Sequence, residues 1–289
     1  MNIVVLGEGF VGTYIINWLV NTGDHTVWPL NQTADQYYLP GNLSAFIDEH
    51  DIDTVINTCG YTGFPNVDAC ETAKAACAFY NITVPLQIEE ECKLTGADFI
   101  HISSGCIYTG YDKDYTEEDE PNFGINNPDA SFYSQTKHIC EKFLDLEFTN
   151  VVRIRMPVTC RMDHKNLLFK LLKYDDIIDF RNSKTDIVKL CEFVEVVAKG
   201  FKPGLYNAVH SDTLSTKEVV DILKANGLEN PNWEFVPYEE LDIVANRSNC
   251  VLDNSKAKEV FGFDFGPEAY HINLNASIIK KSESCTEKV

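Results

Sequence analysis

An α/β architecture is what this sequence predicts: a parallel sheet with helices on both faces, followed by a smaller α+β lobe. Three observations carry it. The apolar segment Ile3-Val4-Val5-Leu6 runs straight into a glycine-rich turn and then into apolar groups on a helical period. Strand-like and helix-like segments alternate as far as Pro157, which is the pattern of a parallel sheet. Beyond Pro157 the regularity falls, which suggests a second, smaller unit. The chain has 289 residues, 44% of them hydrophobic, enough for one large or two small domains. The expected division is residues 1–158 with 184–209 returning to them, a lobe of 159–183 and 210–275, and a polar tail of 276–289, frayed from Ser282 onward.

The elements follow in order. Residues 2–6 form a strand that enters Gly7-Glu8-Gly9-Phe10-Val11-Gly12, and residues 13–20 continue as a helix. Strand, glycine turn and helix are the context in which G-x-G-x-x-G binds a dinucleotide in a doubly wound, Rossmann-type sheet. Gly7 allows the tight turn, Gly9 lets the backbone approach a pyrophosphate, and Gly12 allows close helix packing. The helix N-terminus offers N–H groups and the positive end of its dipole. Residues 25–30 read as the second strand. It ends in Asn31-Gln32, without the acid that often holds a ribose 2′-hydroxyl, and no Arg is nearby. This leans towards NADPH, with NADH possible.

Residues 53–60 are a buried strand ending in small residues, which leave room for a cofactor. Residues 67–95 are mostly helical, and Pro85 should kink or break them. Asn81 on this segment reads as a solvent-facing or capping residue. Residues 99–102 form a buried strand that places Ser104 and Cys106 at or just past its end. The run Glu117-Glu118-Asp119-Glu120-Pro121 reads as solvated surface. Tyr133 and Lys137, four apart, share one face if they lie on a helix. By themselves they are a weak pair. Residues 150–157 are a further strand. In the second half, residues 166–172 form an amphipathic segment carrying Lys170, residues 189–199 a helix, and 204–209 a strand. Ser215 or Thr216 caps a helix to Ala225 with Gly227 past its end, and another helix closes at Gly262. Arg247 is a rare cation in an acidic stretch and reads first as a surface salt bridge.

A net charge of −20 opposes nucleic acid and anionic membrane surfaces. No apolar run approaches a membrane span. The N-terminus lacks a basic region followed by an apolar segment, so no signal peptide is expected. The ten cysteines are scattered with no C-x-x-C pair, which argues against zinc and suits a cytoplasmic chain with reduced thiols.

Taken together, the glycine turn and Tyr133-x-x-x-Lys137 resemble the signature pair of the extended short-chain dehydrogenase/reductases that modify nucleotide sugars. The similarity narrows to the dTDP-4-dehydrorhamnose reductase branch, and within it to bifunctional UDP-4-keto-6-deoxyglucose 3,5-epimerase/4-reductases. It is carried by Gly63-Phe64-Pro65-Asn66-Val67-Asp68-Ala69-Cys70-Glu71, Gly105-Cys106-Ile107, Pro121-Asn122-Phe123, Ser131-Phe132-Tyr133-Ser134-Gln135-Thr136-Lys137, Arg153-Ile154-Arg155-Met156-Pro157 and residues 247–253. Ser104 stands where the branch often has Thr, and Pro85 replaces a small or hydroxylated residue.

The resemblance implies the following roles. Tyr133 donates a proton to the substrate's C4 oxygen. Lys137 lowers the phenol's pKa and holds the nicotinamide ribose, and Ser104 gives that oxygen a second hydrogen bond. Cys106 is the acid/base for epimerisation, with Lys170 as partner and His164 or Lys173 as rivals. Arg247 and Asn66 contact the nucleotide-sugar substrate. Gly7, Gly9, Phe10, Val11, Gly12, Thr58, Cys59, Gly60, Tyr61, Asn81 and Pro157 line the cofactor with Tyr133 and Lys137. A homodimer is compatible with it. The alternatives are a 4-reductase alone, a GDP-fucose-synthase-like epimerase/reductase, and a non-catalytic NADP-binding regulatory subunit. An intact Ser104, Tyr133 and Lys137 argues against the last.

Overall fold

The computed structural model describes residues 1–286, apart from the side chains at 32, 33 and 283–286. Alternate residues of the first strand decide its two-sided packing. Ile3 and Val5 face one side of the sheet, Val4 and Leu6 the other, and all four are fully buried. The strands are β1 (Asn2–Leu6), β2 (Thr26–Leu30), β3 (Thr54–Asn57), β4 (Asp98–Ser104), β5 (Thr149–Ile154) and β6 (Gly204–Asn207). They lie in the order β6-β5-β4-β3-β1-β2, all parallel. The order reverses between β1 and β3, so the carboxyl ends of these two strands open a crevice.

Helices cover both faces. They are α1 (Phe10–Thr22), α2 (Asn42–Glu49), α3 (Val84–Thr95), α4 (Phe132–Phe143), α5 (Leu167–Lys173), α6 (Ile187–Lys199), α7 (Thr216–Ala225), α8 (Ser255–Phe261) and α9 (Glu268–Thr286). α1 and α6 pack with Ile3, Val5, Ile56 and Ile100. α2, α3 and α4 pack with Val4, Leu6, Val55 and Phe99. A separate apolar cluster joins α5, α7 and α9 around Leu168, Val220, Leu223 and Ile272. The capping chemistry is as expected at two ends: Ser215 and Glu218 form a reciprocal capping box on α7, and Gly262 closes α8 in the left-handed conformation.

Three expectations need correction. Pro85 does not break its helix. The preceding residues Phe79–Thr83 widen into a π-helical turn, and Pro85 stands in the first turn of α3, where a missing N–H is tolerated. The polar tail from residue 276 is instead the end of α9. Ile272, Ala276 and Ile279 recur on one face and are fully buried, so packing overrides the polar composition. Residues 287–289, placed in that tail too, lie outside the described residues. Within the acidic loop, Glu117 is buried rather than solvated. Its carboxylate accepts the Asn207 N–H at 2.7 Å and so pins the loop to the end of β6.

A buried ion pair locks α4 to the sheet. Arg153 on β5 meets Glu141 on α4 at 2.7 Å, the side chains 2% and 4% exposed. Ser103 donates to Glu141 at 2.7 Å and Arg153 donates to the Tyr108 hydroxyl at 3.1 Å. Glu141→Ala strands the guanidinium in a dry interior. It is expected to destabilise the fold by about 3–5 kcal/mol, read as a shift of the urea unfolding midpoint at constant slope. No helix among the described residues is long and apolar enough to cross a membrane.

Candidate active site

The glycine turn sits at the carboxyl end of β1, beside the Thr58–Tyr61 segment that follows β3. Gly7 has φ 98°, a left-handed value that suits glycine. A Cβ on Gly12 would fall 1.9 Å from the Gly7 carbonyl oxygen and 2.5 Å from Thr58 Oγ1, which shows how tightly α1 starts against the turn. Thr58 Oγ1 donates to the Leu6 and Gly7 carbonyls at 2.9 and 3.0 Å. Gly9 differs: a Cβ there meets nothing within 4 Å. Gly9 is also the N-cap of α1, places no side chain over its N–H groups, and is followed by no acid in the first turn. Phe10 and Val11 open the helix, partly buried. This cradle fits the pyrophosphate of NADPH or NADH. Gly12→Ala must displace backbone. It is expected to cost about 1–3 kcal/mol and to abolish the rise in melting temperature that NADPH gives the parent protein, both read from one thermal scan.

Asn81 is the second anchor, and it is neither solvent-facing nor a cap. It is fully buried in the π-helical turn. Its Oδ1 accepts from the Tyr61 N–H at 2.8 Å, and its Nδ2 donates to the Tyr61 carbonyl at 2.9 Å and to Thr136 Oγ1 at 3.1 Å. It therefore clamps the segment after β3 to α4. A Cβ on Gly60 would lie 3.2 Å from Asn81 Oδ1 and 3.4 Å from Lys137 Nζ, so Gly60 leaves the space above this pair open. Cys59 is buried and bonded to the Tyr37 hydroxyl at 2.6 Å. Pro157 pairs with Thr185 in a short parallel bridge.

β4 ends at Ser104, and the chain turns at Gly105 to present Cys106. The Cys106 N–H donates to Ser104 Oγ at 3.3 Å. α4 begins at its Ser131 N-cap, which accepts the Ser134 N–H at 3.1 Å. The Phe132 N–H donates to Glu71 at 2.7 Å, which ties the 63–71 run to the helix start. Tyr133 and Lys137 do share a face. Lys137 is buried, and its Nζ is 6.0 Å from the centre of the Tyr133 ring. Ser104 and Cys106 both lie near enough to Tyr133 to influence its phenol. Ser104, Cys106, Tyr133 and Lys137 thus converge.

The expected lowering of the phenol's pKa by Lys137 is not what this arrangement produces. Burial pushes Tyr133 up, with a smaller contribution from Cys106, and the Ser104 bond only partly opposes this. Burial likewise pushes Lys137 down. Burial sets the direction, so the phenol is held in its protonated form.

The remaining expected residues lie on neighbouring elements. Lys170 on α5 is partly buried, and its pKa is pushed down by burial and then by Arg247 and Lys165. Among the described residues no hydrogen bond or ion pair reaches its Nζ. Arg247 meets Asp68 at 2.7 Å, with the side chains 27% and 22% exposed. Burial pushes Asp68 up, but the hydrogen bonds of Arg247 and the Ala245 N–H hold it below the usual carboxylate range. Asn66 is exposed and accepts the Asp68 N–H at 2.8 Å. His164 is exposed against Asp163 at 3.4 Å, and Lys173 is exposed.

Residue-level reading missed Arg155, the cation in contact with the thiol, its Nη1 3.6 Å from Cys106 Sγ. It also missed Asp68 and Glu141. The available signal was two arginines inside an apolar strand, since a buried charge needs a reason. The next residue, Met156, has φ 39°, a left-handed value that costs a bulky residue about 1–3 kcal/mol and recurs at functional sites.

Comparison with known proteins places the chain. The family model described as the RmlD substrate binding domain matches residues 1–281. The chain is 32% identical over 292 residues to a bifunctional dTDP-4-dehydrorhamnose 3,5-epimerase/dTDP-4-dehydrorhamnose reductase of Arabidopsis thaliana, covering 96% of this chain and 91% of that one. It is 31% identical over 238 residues to a trifunctional UDP-glucose 4,6-dehydratase/UDP-4-keto-6-deoxy-D-glucose 3,5-epimerase/UDP-4-keto-L-rhamnose-reductase of the same plant, covering 78% of this chain but only 34% of that longer one. The crystal structure of the L780 UDP-rhamnose synthase from Acanthamoeba polyphaga mimivirus superposes with a TM-score of 0.86 at 22% identity, covering 96% of this chain and 99% of that one. The chain therefore belongs to the RmlD substrate-binding-domain family, as an oxidoreductase of its dTDP-4-dehydrorhamnose reductase branch.

Proposed function

We propose that this chain is a nucleotide-sugar 3,5-epimerase/4-reductase, which converts an NDP-4-keto-6-deoxyglucose, with UDP as the nucleotide, to NDP-L-rhamnose. The observation that carries the reading is a thiol, Cys106, two residues past Ser104 and within electrostatic reach of Tyr133. A reductase alone has no use for it. A ketone at C4 acidifies the protons at C3 and C5, so each centre can be inverted through an enolate. Cys106 exchanges those protons on one face, and Lys170, lowered towards neutrality by its surroundings, serves the other. Ser104 and Tyr133 hold the C4 oxygen through both enolate formation and reduction. When bound, the nicotinamide would supply the hydride for C4, and Tyr133 gives the proton to the oxygen. Arg247 and Asn66 hold the diphosphate side of the substrate.

The test is to incubate the protein with UDP- and dTDP-4-keto-6-deoxyglucose and either NADPH or NADH, then identify the sugar formed. UDP-rhamnose is expected. A 6-deoxy-4-hydroxy product that keeps the gluco configuration at C3 and C5 would leave a reductase alone, and no cofactor oxidation with either substrate would sink the reading.

A further inference from the structure

Arg153 and Arg155 are equally buried, each 2% exposed, but only Arg153 has an acidic partner. No carboxylate pairs with Arg155 among the described residues. Its Nη1 donates to the Gly105 carbonyl at 3.4 Å, to Ser248 Oγ at 3.0 Å and to Cys106 Sγ at 3.6 Å. Its Nη2 donates to the Ser248 carbonyl at 2.7 Å and to Asn182 Oδ1. Its Nε has no partner. A guanidinium keeps its proton, and a buried cation without an anion is costly. Of these contacts, only the Cys106 sulfur can take a negative charge.

We propose that Arg155 is the charge partner of Cys106: the guanidinium, fixed by Gly105, Ser248 and Asn182, holds the sulfur in the position from which it acts and pairs with the negative charge the sulfur carries when it acts as a base. The groups facing this sulfur agree. Tyr133 on α4 stays a neutral phenol, and Lys137 on α4 also lies near the sulfur, its pKa pushed down by burial. The other nearby thiol, Cys250, is pushed up by burial and so remains protonated. The backbone holds the socket in place: the Arg155 N–H donates to Thr185 Oγ1 at 2.9 Å, and the Thr185 N–H donates to the Arg155 carbonyl at 2.8 Å. Arg155 does not touch substrate in this scheme. It is a positioning residue acting through Cys106. The use of the thiolate rests on the epimerase reading. There it takes a proton from C3 or C5, so that S–H forms as C–H breaks and the electron pair moves to the C4 oxygen as enolate.

The charge pairing itself is tested without substrate. The full-length protein is alkylated near neutral pH with neutral iodoacetamide or anionic iodoacetate, and each cysteine is followed by peptide mass spectrometry. In the parent protein Cys106 should react at least about tenfold faster than Cys160, the other partly buried thiol among the described residues. Equal rates overturn the proposal with no variant needed. Arg155→Met should slow iodoacetamide at Cys106 by about tenfold or more and lower the iodoacetate-to-iodoacetamide rate ratio. Arg155→Lys should recover part of both. A merely structural role would leave that ratio unchanged, and if Met and Lys behave alike in variants that melt normally, the pairing is wrong. Fast, Arg155-dependent alkylation without hydrogen exchange at C3 or C5 would sink the epimerase reading alone. Exchange with Arg155-independent alkylation would sink this proposal alone.

Discussion

Cys106→Ala is expected to stop incorporation of solvent deuterium at C3 and C5 of the 4-keto sugar while reduction of an already epimerised ketone continues. The two outcomes separate because the thiol has no part in hydride or proton delivery at C4. In the proposed reaction that oxygen is served by Tyr133 and Ser104. Removing a positioned general base costs about 10²–10⁴-fold in rate, so exchange should fall to the background level, as read by mass spectrometry and proton NMR of the recovered sugar. Folding is not at stake, because Cys106 is partly exposed and its side chain is not part of an apolar cluster. Persistence of exchange at both carbons would falsify the thiol's role.

Tyr133→Phe should have the second large effect, on the other half of the reaction. It removes the hydroxyl that protonates the C4 oxygen and leaves the ring that packs beside Lys137. Oxidation of NADPH with an epimerised substrate should slow by about 10²–10⁴-fold, while exchange at C3 and C5 weakens less, since Ser104 still bonds the enolate oxygen. Near-normal turnover in this variant sinks the reductase assignment for Tyr133. The pH dependence gives a companion check. Burial holds the phenol above its ordinary value, so the donor stays protonated through the range in which a free tyrosine would begin to ionise. Turnover for reduction should therefore not fall as pH rises from about 7 towards about 10. A decline centred near the ordinary phenol value would show that burial does not govern the group when the cofactor is bound.

Much of the fold was legible from local chemistry. The glycine turn, the alternation of apolar strands with helical periods, the cap at Ser215 and the stop at Gly262 each depend on neighbours in sequence. Each formed where expected, to within a few residues. The placement of Ser104, Cys106, Tyr133 and Lys137 was also legible, because strand ends and helix faces hold them at predictable angles. Other features depend on what lies across the fold. Pro85 is absorbed by a π-helical turn rather than ending a helix, and Glu117 is drawn inward by the Asn207 N–H. The last helix exists because Ile272, Ala276 and Ile279 find α7.

The same division runs through the site. Residue types and spacing determined that a cofactor turn, a Tyr–Lys pair and a thiol are present, since backbone geometry follows from the local sequence. Only the tertiary structure decided their electrostatics. Burial raises Tyr133, and the cation in contact with Cys106 is Arg155, which comes from the end of the neighbouring strand 49 residues away. A pKa depends on desolvation and on charges gathered from every packed element, and linear order does not specify either.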